Sequence, residues 1–276
     1  MPRSTSKDIE SGRLLTVPAK LKAIKFAFNL SYVGRRVISG KADSGVTFDH
    51  IYLNKAKGYY FIGRLVDRIL LDFPSLKATR GRWSYIADEI LRIAEEISPG
   101  GGEVDVVDLA SGVSRYLVDL AKKTTKFKLQ CLCLDKDMES LTIGRKISEG
   151  GQFRYCRTDL FASRKLINLG MRRNWRPNIA IATGLVEYLN DEALASLLEG
   201  LHPALTDRGF VILSSQINNP SRHLMETICR TSESRPWTLI YRQPENIKVV
   251  LERCGFSVKR VYIDDLKMYS ILTAQK

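Results

Sequence analysis

The stretch that decides the fold is EVDVVDLASGVSRY, residues 103–116. Its first part, residues 104–109, is a short apolar run rich in β-branched residues, which is typical of a buried parallel strand. The small residues Ala110, Ser111 and Gly112 follow as a turn, and an amphipathic pattern begins directly after them. A strand, a tight turn and a helix N-terminus together let the backbone approach a nucleotide, so the stretch predicts a nucleotide-binding turn.

Three further apolar runs follow, and each ends in small or acidic residues. Asp135 closes the second run, at about the distance from the first strand at which an acidic residue binds a ribose. The third and fourth runs are followed by Thr158-Asp159-Leu160 and by Thr183-Gly184. Because the carboxyl ends of parallel strands meet at one edge of a sheet, these residues predict a single ligand crevice along that edge.

The order of these motifs resembles that of a class I S-adenosylmethionine-dependent methyltransferase. DLASG (residues 108–112) resembles the first motif of that superfamily, and LCLDKD (residues 132–137) resembles the ribose-binding acid. Further motifs resemble the adenine-side Asp, the strand that faces the transferred methyl group and the fifth strand: they are RTDLF (157–161), ATGLVEYL (182–189) and RGFVILSS (208–215).

From about Thr47 onward the chain is also similar to a bacterial methyltransferase family that is often encoded as the partner domain of an α/β-hydrolase. That family usually has Gly where this chain has Ser114. A serine is small enough to leave the turn open. The loss of glycine at this position nevertheless predicts weaker cofactor binding. The closer match is carried by residues 52–54, 63–68, 80–82, 114–116, 184–187 and 235–237.

The resemblance implies an α/β fold: a Rossmann-like class I methyltransferase sheet with a terminal antiparallel hairpin, preceded by a helical N-terminal lid. Alternating apolar residues at the end of the chain favour such a hairpin over a simple dinucleotide dehydrogenase domain. We predict three regions: a flexible basic N-terminal segment with an amphipathic helix (1–46), a helical lid or substrate cap (47–102), and the S-adenosylmethionine-binding methyltransferase domain (103–276) with an insertion at about 216–237.

The resemblance also assigns cofactor contacts to the strand ends. Asp135 is expected to accept hydrogen bonds from both ribose hydroxyls, because a carboxylate offers two oxygens to a vicinal diol. Asp159 matches the group that binds the adenine amine, and Asp108 matches the residue that orients the methionine end through the turn. The complete predicted set for S-adenosylmethionine and its product S-adenosylhomocysteine is Asp108, Ala110, Gly112, Arg115, Asp135, Asp159, Leu160, Thr183 and Gly184.

Methyl transfer from a sulfonium needs mainly proximity and alignment, and the acceptor must also lose a proton. Glu187 and Tyr188 follow the fourth strand, so the resemblance implies that they position or deprotonate the acceptor; a helix-entry charge is the alternative for Glu187. No metal-ligand cluster is visible, and no metal is predicted. Arg80, Arg82 and Arg115 match family positions, and the resemblance implies that they hold either the cofactor carboxylate or an anionic acceptor. The other predicted acceptor-binding residues, each with core packing as its alternative, are Tyr52, Tyr59, Tyr60, Gln216 and Trp237.

The composition restricts the cellular location that we expect for the protein. The chain has 276 residues, with 44% hydrophobic and 26% charged residues, and no run approaches the roughly 20 apolar residues of a membrane helix. No secretory signal is apparent, and the five cysteines are expected to be reduced core thiols, which favours a cytoplasmic location.

The formal net charge of +13 indicates that the protein attracts anionic partners. A basic amphipathic segment, residues 21–37, could lie on an anionic membrane or pack on its own domain, which would make the protein cytoplasmic and peripheral at the membrane. The leading hypothesis is transfer of a methyl group to O or N of a small-molecule or lipid-like acceptor. The alternatives are an RNA or DNA methyltransferase, motivated by the charge, and a non-catalytic cofactor-binding or interaction protein, motivated by Ser114.

Overall fold

The computed structural model describes residues 19, 21–148, 151–160 and 175–276. Residues 1–18 and 20 of the predicted flexible N-terminal segment, and Phe161 of the RTDLF motif, lie outside these residues. The helices are α1 (residues 21–30), α2 (Tyr32–Ile38), α3 (Gly45–Leu53), α4 (Tyr60–Leu71), α5 (Pro74–Ile97), α6 (Arg115–Lys123), α7 (Met138–Ile147), α8 (Asp191–Ala204), α9 (Arg222–Ile228) and α10 (Pro244–Arg253), with a 3₁₀ turn at Val186–Tyr188. The strands are β1 (Gly102–Leu109), β2 (Phe127–Asp135), β3 (Phe153–Arg157), β4 (Ile179–Ala182), β5 (Phe210–Gln216), β6 (Ser257–Ile263) and β7 (Tyr269–Gln275).

These strands form one sheet in the order β3-β2-β1-β4-β5-β7-β6. Strands β1 to β5 are parallel, and β7 pairs antiparallel with both β5 and β6. The chain leaves β1 toward β2 and β3 and later returns to place β4 on the other side of β1, so the strand order reverses between β1 and β4. Ligands of open α/β sheets bind at such a reversal. The predicted Rossmann-like sheet with a terminal antiparallel hairpin is confirmed.

The sheet is covered by helices on both faces, which explains why its strands read as nearly continuous apolar runs. Successive side chains of a strand point to opposite faces. In β1, Val107 and Leu109 pack in a cluster with residues of α8 and α10, whereas Val104 and Val106 pack with residues of α5 and α6. Both faces of the central strands are therefore buried, and the polar groups available for binding lie at the strand ends.

The N-terminal helices α1 to α4 form a separate layer with its own apolar cluster, which includes Phe28, Val33, Leu70 and Leu71. The carboxylate of Asp67 fastens this layer from within. It accepts hydrogen bonds from Ser31 Oγ (2.5 Å), the Val33 N–H (2.8 Å), the Lys57 N–H (2.8 Å) and His50 Nε2 (3.0 Å). Burial acts to raise the pKa of Asp67, but these hydrogen bonds outweigh it and hold the pKa below its ordinary value.

The amphipathic segment at residues 21–37 is two helices rather than one. Ser31 interrupts the pattern because its hydroxyl caps α2, accepting a hydrogen bond from the Gly34 N–H at 2.9 Å. The apolar side chains of the segment, Phe28, Val33 and Val37, are buried in the N-terminal layer. The apolar face of the segment, which could have contacted a membrane, therefore packs on the protein's own domain.

Candidate functional site

An open pocket lies where β1, β2 and β4 end, beside the strand-order reversal. Its empty space is about 1010 Å³ when the open mouth is included. Its walls come from the ends of the parallel strands and from two helices of the N-terminal half. The lining residues are residues 110–116, Asp135, Lys136, Thr158, Leu160, Thr183, Gly184, Leu185 and Tyr188 from the sheet side, and Asp43, Gly45, Phe48, Asp49, Arg82 and Trp83 from the N-terminal half.

The turn after β1 forms the floor of this pocket. Ala110, Gly112 and Ser114 all adopt left-handed backbone conformations, with φ between 53° and 55°. This geometry is costly for residues with a Cβ atom, so the turn is held in place by other contacts. The Gly112 N–H donates to Asp135 Oδ2 at 2.7 Å, and the Ser111 N–H donates to the Leu134 carbonyl at 3.0 Å.

Asp135 is shared between this turn and the segment that follows β2. Its Oδ2 accepts from Gly112, and its Oδ1 accepts from the Asp137 N–H at 2.8 Å. Burial raises the pKa of Asp135 in spite of these two hydrogen bonds. Each carboxylate oxygen can accept a second hydrogen bond, so Asp135 retains the capacity for a ribose diol that the sequence assigned to it.

Asp108 lies beneath the turn and does not reach the pocket. It is fully buried at the end of β1, where Ser114 Oγ donates to its Oδ2 at 3.1 Å. Its Oδ1 has no hydrogen-bond partner in the described part of the chain. Burial raises the pKa of Asp108 to about 7. This residue therefore supports the turn from below, and Ser114 has a role there that glycine would not fill.

Two substitutions of Ser114 distinguish the free-energy cost of its left-handed backbone from the contribution of its hydrogen bond to stability. Ser114→Ala keeps the left-handed backbone and loses the donor to Asp108, so we expect the free energy of unfolding to fall by about 1–2 kcal/mol. Ser114→Gly loses the same donor but relieves a backbone cost of about 1–2 kcal/mol, so it should be close to neutral. Urea unfolding of both variants measures the difference, and equal destabilisation by Ala and Gly would contradict this reading.

The N-terminal layer contacts the turn after β1 directly. The backbones of Gly45 and Gly112 touch, and a Cβ atom at Gly45 would collide with Gly112 Cα. One helical turn further along α3, Asp49 forms a two-pronged ion pair with Arg115 at 2.5 and 3.0 Å. Ser44 Oγ donates to Asp137 Oδ2 at 2.8 Å. Helix α3 thus forms a wall of the pocket, and the guanidinium of Arg115, predicted to bind the cofactor, is held by Asp49.

The side of the pocket at β4 contains a buried ion pair. The Arg82 and Glu187 side chains are 3% and 2% exposed, with Arg82 Nη1 and Glu187 Oε1 3.8 Å apart. Neither oxygen of Glu187 makes a hydrogen bond of ordinary geometry within the described residues. Burial raises the pKa of Glu187, against the lowering effect of Arg82. Arg82 lines the pocket beside Gly184, and its guanidinium lies over the Tyr269 ring. Glu187 is outside the described pocket lining.

Tyr188 also lines the pocket, and its hydroxyl accepts a hydrogen bond from Trp237 Nε1 at 2.7 Å. Burial raises the pKa of Tyr188 well above its ordinary range. A phenol in this state is a hydrogen-bonding group rather than a base. The structure brings Tyr188 and Trp237 together as neighbours, with Trp237 outside the pocket lining.

Several predicted acceptor residues lie elsewhere. Arg80 donates to the Leu71 carbonyl at 2.9 Å and so caps α4. The Tyr52 ring packs on Trp83 at 4.7 Å, and Gln216 Nε2 donates to the buried Tyr269 hydroxyl at 2.8 Å. Tyr59 and Tyr60 are exposed on α4 and its N-cap. Family position and aromatic character suggested these residues, but neither indicates which side chains meet the pocket.

The predicted cofactor residues are more closely gathered. Ala110, Gly112, Arg115, Asp135, Leu160, Thr183 and Gly184 all line the pocket, whereas Asp108 is buried below it and Asp159 is exposed between two lining residues. Sequence reasoning missed Gly45, Phe48, Asp49 and Trp83 as pocket residues. Ser44-Gly45 at the start of α3 was a readable helix start, but nothing local indicated that this helix begins against residue 112.

No group of three or more His, Cys, Asp or Glu side chains in the described ranges could hold a metal ion. Among the helices that the structure describes, none combines the length and apolar character needed to cross a membrane.

Comparison with known proteins identifies the family of this chain. The model of a family described as "putative methyltransferase" matches residues 6–276. The uncharacterized protein YnbC of Escherichia coli (strain K12) is 26% identical over 241 residues, which are 84% of this chain and 40% of that protein. The chain therefore spans about two-fifths of the length of this curated relative.

Solved structures share the fold. A possible exported protein from Bordetella parapertussis has a TM-score of 0.65 at 18% identity, over 84% of this chain and 79% of that one. Magnesium protoporphyrin IX methyltransferase from Synechocystis PCC 6803, solved with bound SAH, has a TM-score of 0.57 at 16% identity, over 84% and 94% of the two chains. At these identities the likeness shows the fold alone.

These findings confirm the resemblance to class I S-adenosylmethionine-dependent methyltransferases, while the proposed link to an α/β-hydrolase stays a prediction. The family model spans nearly the whole chain, including the helices ahead of the sheet. The chain belongs to the family described as putative methyltransferases.

Proposed function

We propose that the protein transfers a methyl group from S-adenosylmethionine to O or N of a small-molecule or lipid-like acceptor that carries an acidic group. The observation that carries this proposal is the pocket at the strand ends, in which Asp135 and the left-handed turn at Gly112 face Arg82 across the same space. The family to which the chain belongs and the cofactor of its structural relative support the choice of cofactor.

The cofactor is assigned to the half of the pocket around β1 and β2. Asp135 would hold the ribose hydroxyls, and the turn at Ala110 to Gly112 would leave room for the methionine end because it carries no bulky side chain. Leu160 lines the same side and would pack on the adenine. The cofactor supplies an activated methyl carbon, so these residues act by holding that carbon in line with the acceptor.

The acceptor is assigned to the half around β4, where Arg82 and Tyr188 line the pocket. A guanidinium binds carboxylates and phosphates through two parallel hydrogen bonds. Arg82 is buried, and its partner Glu187 stands at 3.8 Å without a close hydrogen bond. This leaves Arg82 able to engage an acidic acceptor group. Glu187, which is outside the described pocket lining, would act on the acceptor indirectly, by positioning the Arg82 guanidinium.

Incubation of the protein and isotope-labelled cofactor with a host extract tests the function. Mass spectrometry of the lipid, polar and RNA fractions should find the labelled methyl group on an acidic small molecule or lipid. Label in RNA alone would instead support the nucleic-acid alternative. Tight cofactor binding without labelled product in any fraction would support a non-catalytic binding protein, and no cofactor binding would overturn the proposal.

Arg82→Gln should raise the KM for the acceptor about tenfold or more, because a charge-assisted hydrogen-bonded pair is lost. The dissociation constant for S-adenosylmethionine, measured by calorimetry, should change little. Arg80→Gln is the matched control, because this neighbour on α5 bonds the Leu71 carbonyl outside the pocket. If both variants change KM equally, Arg82 does not contact the acceptor.

A further inference from the structure

The outer face of α4 carries an apolar surface that the described residues leave largely exposed; at its start, the Arg35 guanidinium lies over the Tyr59 ring, 3.8 Å from the ring centroid. Phe61 is 79% exposed, Ile62 61%, Leu65 50% and Ile69 54%. Their spacing places them on one side of the helix, and the preceding residues extend the surface. We define the α4 patch as Tyr59, Tyr60, Phe61, Ile62, Leu65 and Ile69. Exposed apolar surface of this extent marks an interaction site.

The opposite face of α4 is firmly anchored, so the patch is not a loosely packed core. Leu70 and Leu71 are buried in the N-terminal layer, and Asp67 accepts four hydrogen bonds there. Gly63 packs against the Leu30 carbonyl so closely that a Cβ atom would collide with it. On α1, Phe26 is also exposed, at 69%.

The charges around the patch are basic. Exposed cations on α1, α4 and the loop between α3 and α4 form no ion pair within the described residues: Lys22, Lys25, Lys55, Lys57 and Arg64. The acidic residues between 21 and 71 are engaged elsewhere, since Asp43 bonds Ser232, Asp49 pairs with Arg115 and Asp67 is buried. The surface therefore presents aromatic and aliphatic groups framed by unpaired positive charge.

We propose that the α4 patch docks the protein onto a lipid bilayer that contains anionic lipids. Aromatic rings favour the level of the headgroups, aliphatic side chains favour the acyl boundary, and Lys and Arg favour an anionic leaflet. A second copy of the chain would bring like charges together, which opposes self-association through this face. Nucleic acid would match the cations but not Ile62, Leu65 and Ile69.

The position of the patch relates it to the candidate site and deepens the proposed function, on which this step rests. The inner face of α4 packs in the same cluster as Phe48 and Tyr188, and both of these residues line the pocket. Docking through the outer face of α4 would therefore place the bilayer next to the N-terminal layer, which contributes to the acceptor side of the pocket. The acceptor class that follows is an acidic, membrane-resident lipid.

Sedimentation with vesicles tests the docking. The 276-residue chain should bind vesicles of phosphatidylcholine with about one-third phosphatidylglycerol, and bind poorly to phosphatidylcholine alone or in about 1 M salt. The double substitution Phe61→Ser with Leu65→Ser should weaken binding about tenfold or more, and Arg64→Gln should weaken it about fivefold. Val249→Ser on α10, a residue that is 65% exposed far along the chain, is the matched control and should bind as the unmodified protein does.

Three outcomes would overturn the proposal: no binding to the anionic vesicles, equal binding by the double variant, or a dimer in sedimentation that the double variant abolishes. Calorimetry with S-adenosylmethionine keeps this test apart from that of the proposed function. Unchanged cofactor affinity in the double variant shows that it is folded, so a loss of vesicle binding is then due to the patch. Cofactor binding without vesicle binding would reject the docking alone.

Discussion

Replacing Asp135 with alanine should weaken the binding of S-adenosylmethionine about a hundredfold. The carboxylate has two tasks in the structure: it holds the Gly112 N–H and the Asp137 N–H, and it faces the pocket where the ribose is assigned. Loss of two charge-assisted hydrogen bonds to the ribose costs about 3 kcal/mol, which corresponds to about two factors of ten in affinity. Calorimetric titration with the cofactor measures the change directly.

Two companion variants make this result interpretable. Asp135→Asn keeps the size of the side chain and one acceptor oxygen, so its loss of affinity should fall between those of the unmodified protein and the alanine variant. Asp207→Asn changes a carboxylate whose side chain is 91% exposed in the loop before β5 and should leave affinity unchanged. An alanine variant that is folded and binds the cofactor normally would show that the sugar lies elsewhere.

Replacing Asp108 with asparagine should remove a large pH dependence of stability. Burial raises the pKa of Asp108 from 3.8 to about 7 in the folded protein. Between these values the folded state holds a proton that the unfolded state releases. The contribution to stability is therefore complete below about pH 4 and is lost as the pH rises to about 7, a total of about 4 kcal/mol.

Asparagine does not titrate, so the stability of Asp108→Asn relative to the unmodified protein should rise by about this amount between about pH 4 and pH 7 and then level off. Urea unfolding at a series of pH values gives both curves, and the contributions of other groups cancel in the difference. Asp207→Asn, at the surface, should give a curve parallel to that of the unmodified protein. Parallel curves for Asp108→Asn as well would mean that the carboxyl is ionised in the fold.

The sequence was informative where local pattern and global structure coincide. Apolar runs with small or acidic ends gave β1 to β4, because buried strands and their terminal residues are adjacent along the chain. Asp135, Gly112 and Gly184 could therefore be assigned to one edge. Alternation after residue 257 gave the terminal hairpin, because the period of two is a local property.

The pattern was less informative where long-range packing decides. Arg80 and Arg82 are two residues apart on α5, yet one caps α4 and the other lines the pocket. Tyr59 and Tyr60 were assigned to the acceptor because of their aromatic character, and they lie on the outer surface of α4 instead. Helical periodicity defines faces, but only the position of neighbouring elements decides what each face meets.

The contact between Gly45 and Gly112 joins two parts of the chain that sequence reasoning drew as separate regions. Asp49 with Arg115, and Arg36 and Lys41 with Glu139, also join the two leading regions to the domain that begins at residue 103. A fragment that began at residue 103 would keep the sheet but lose one wall of its own cofactor pocket. The smallest competent unit therefore includes the leading helices, and any side chain at position 45 would push the turn after β1 away from α3.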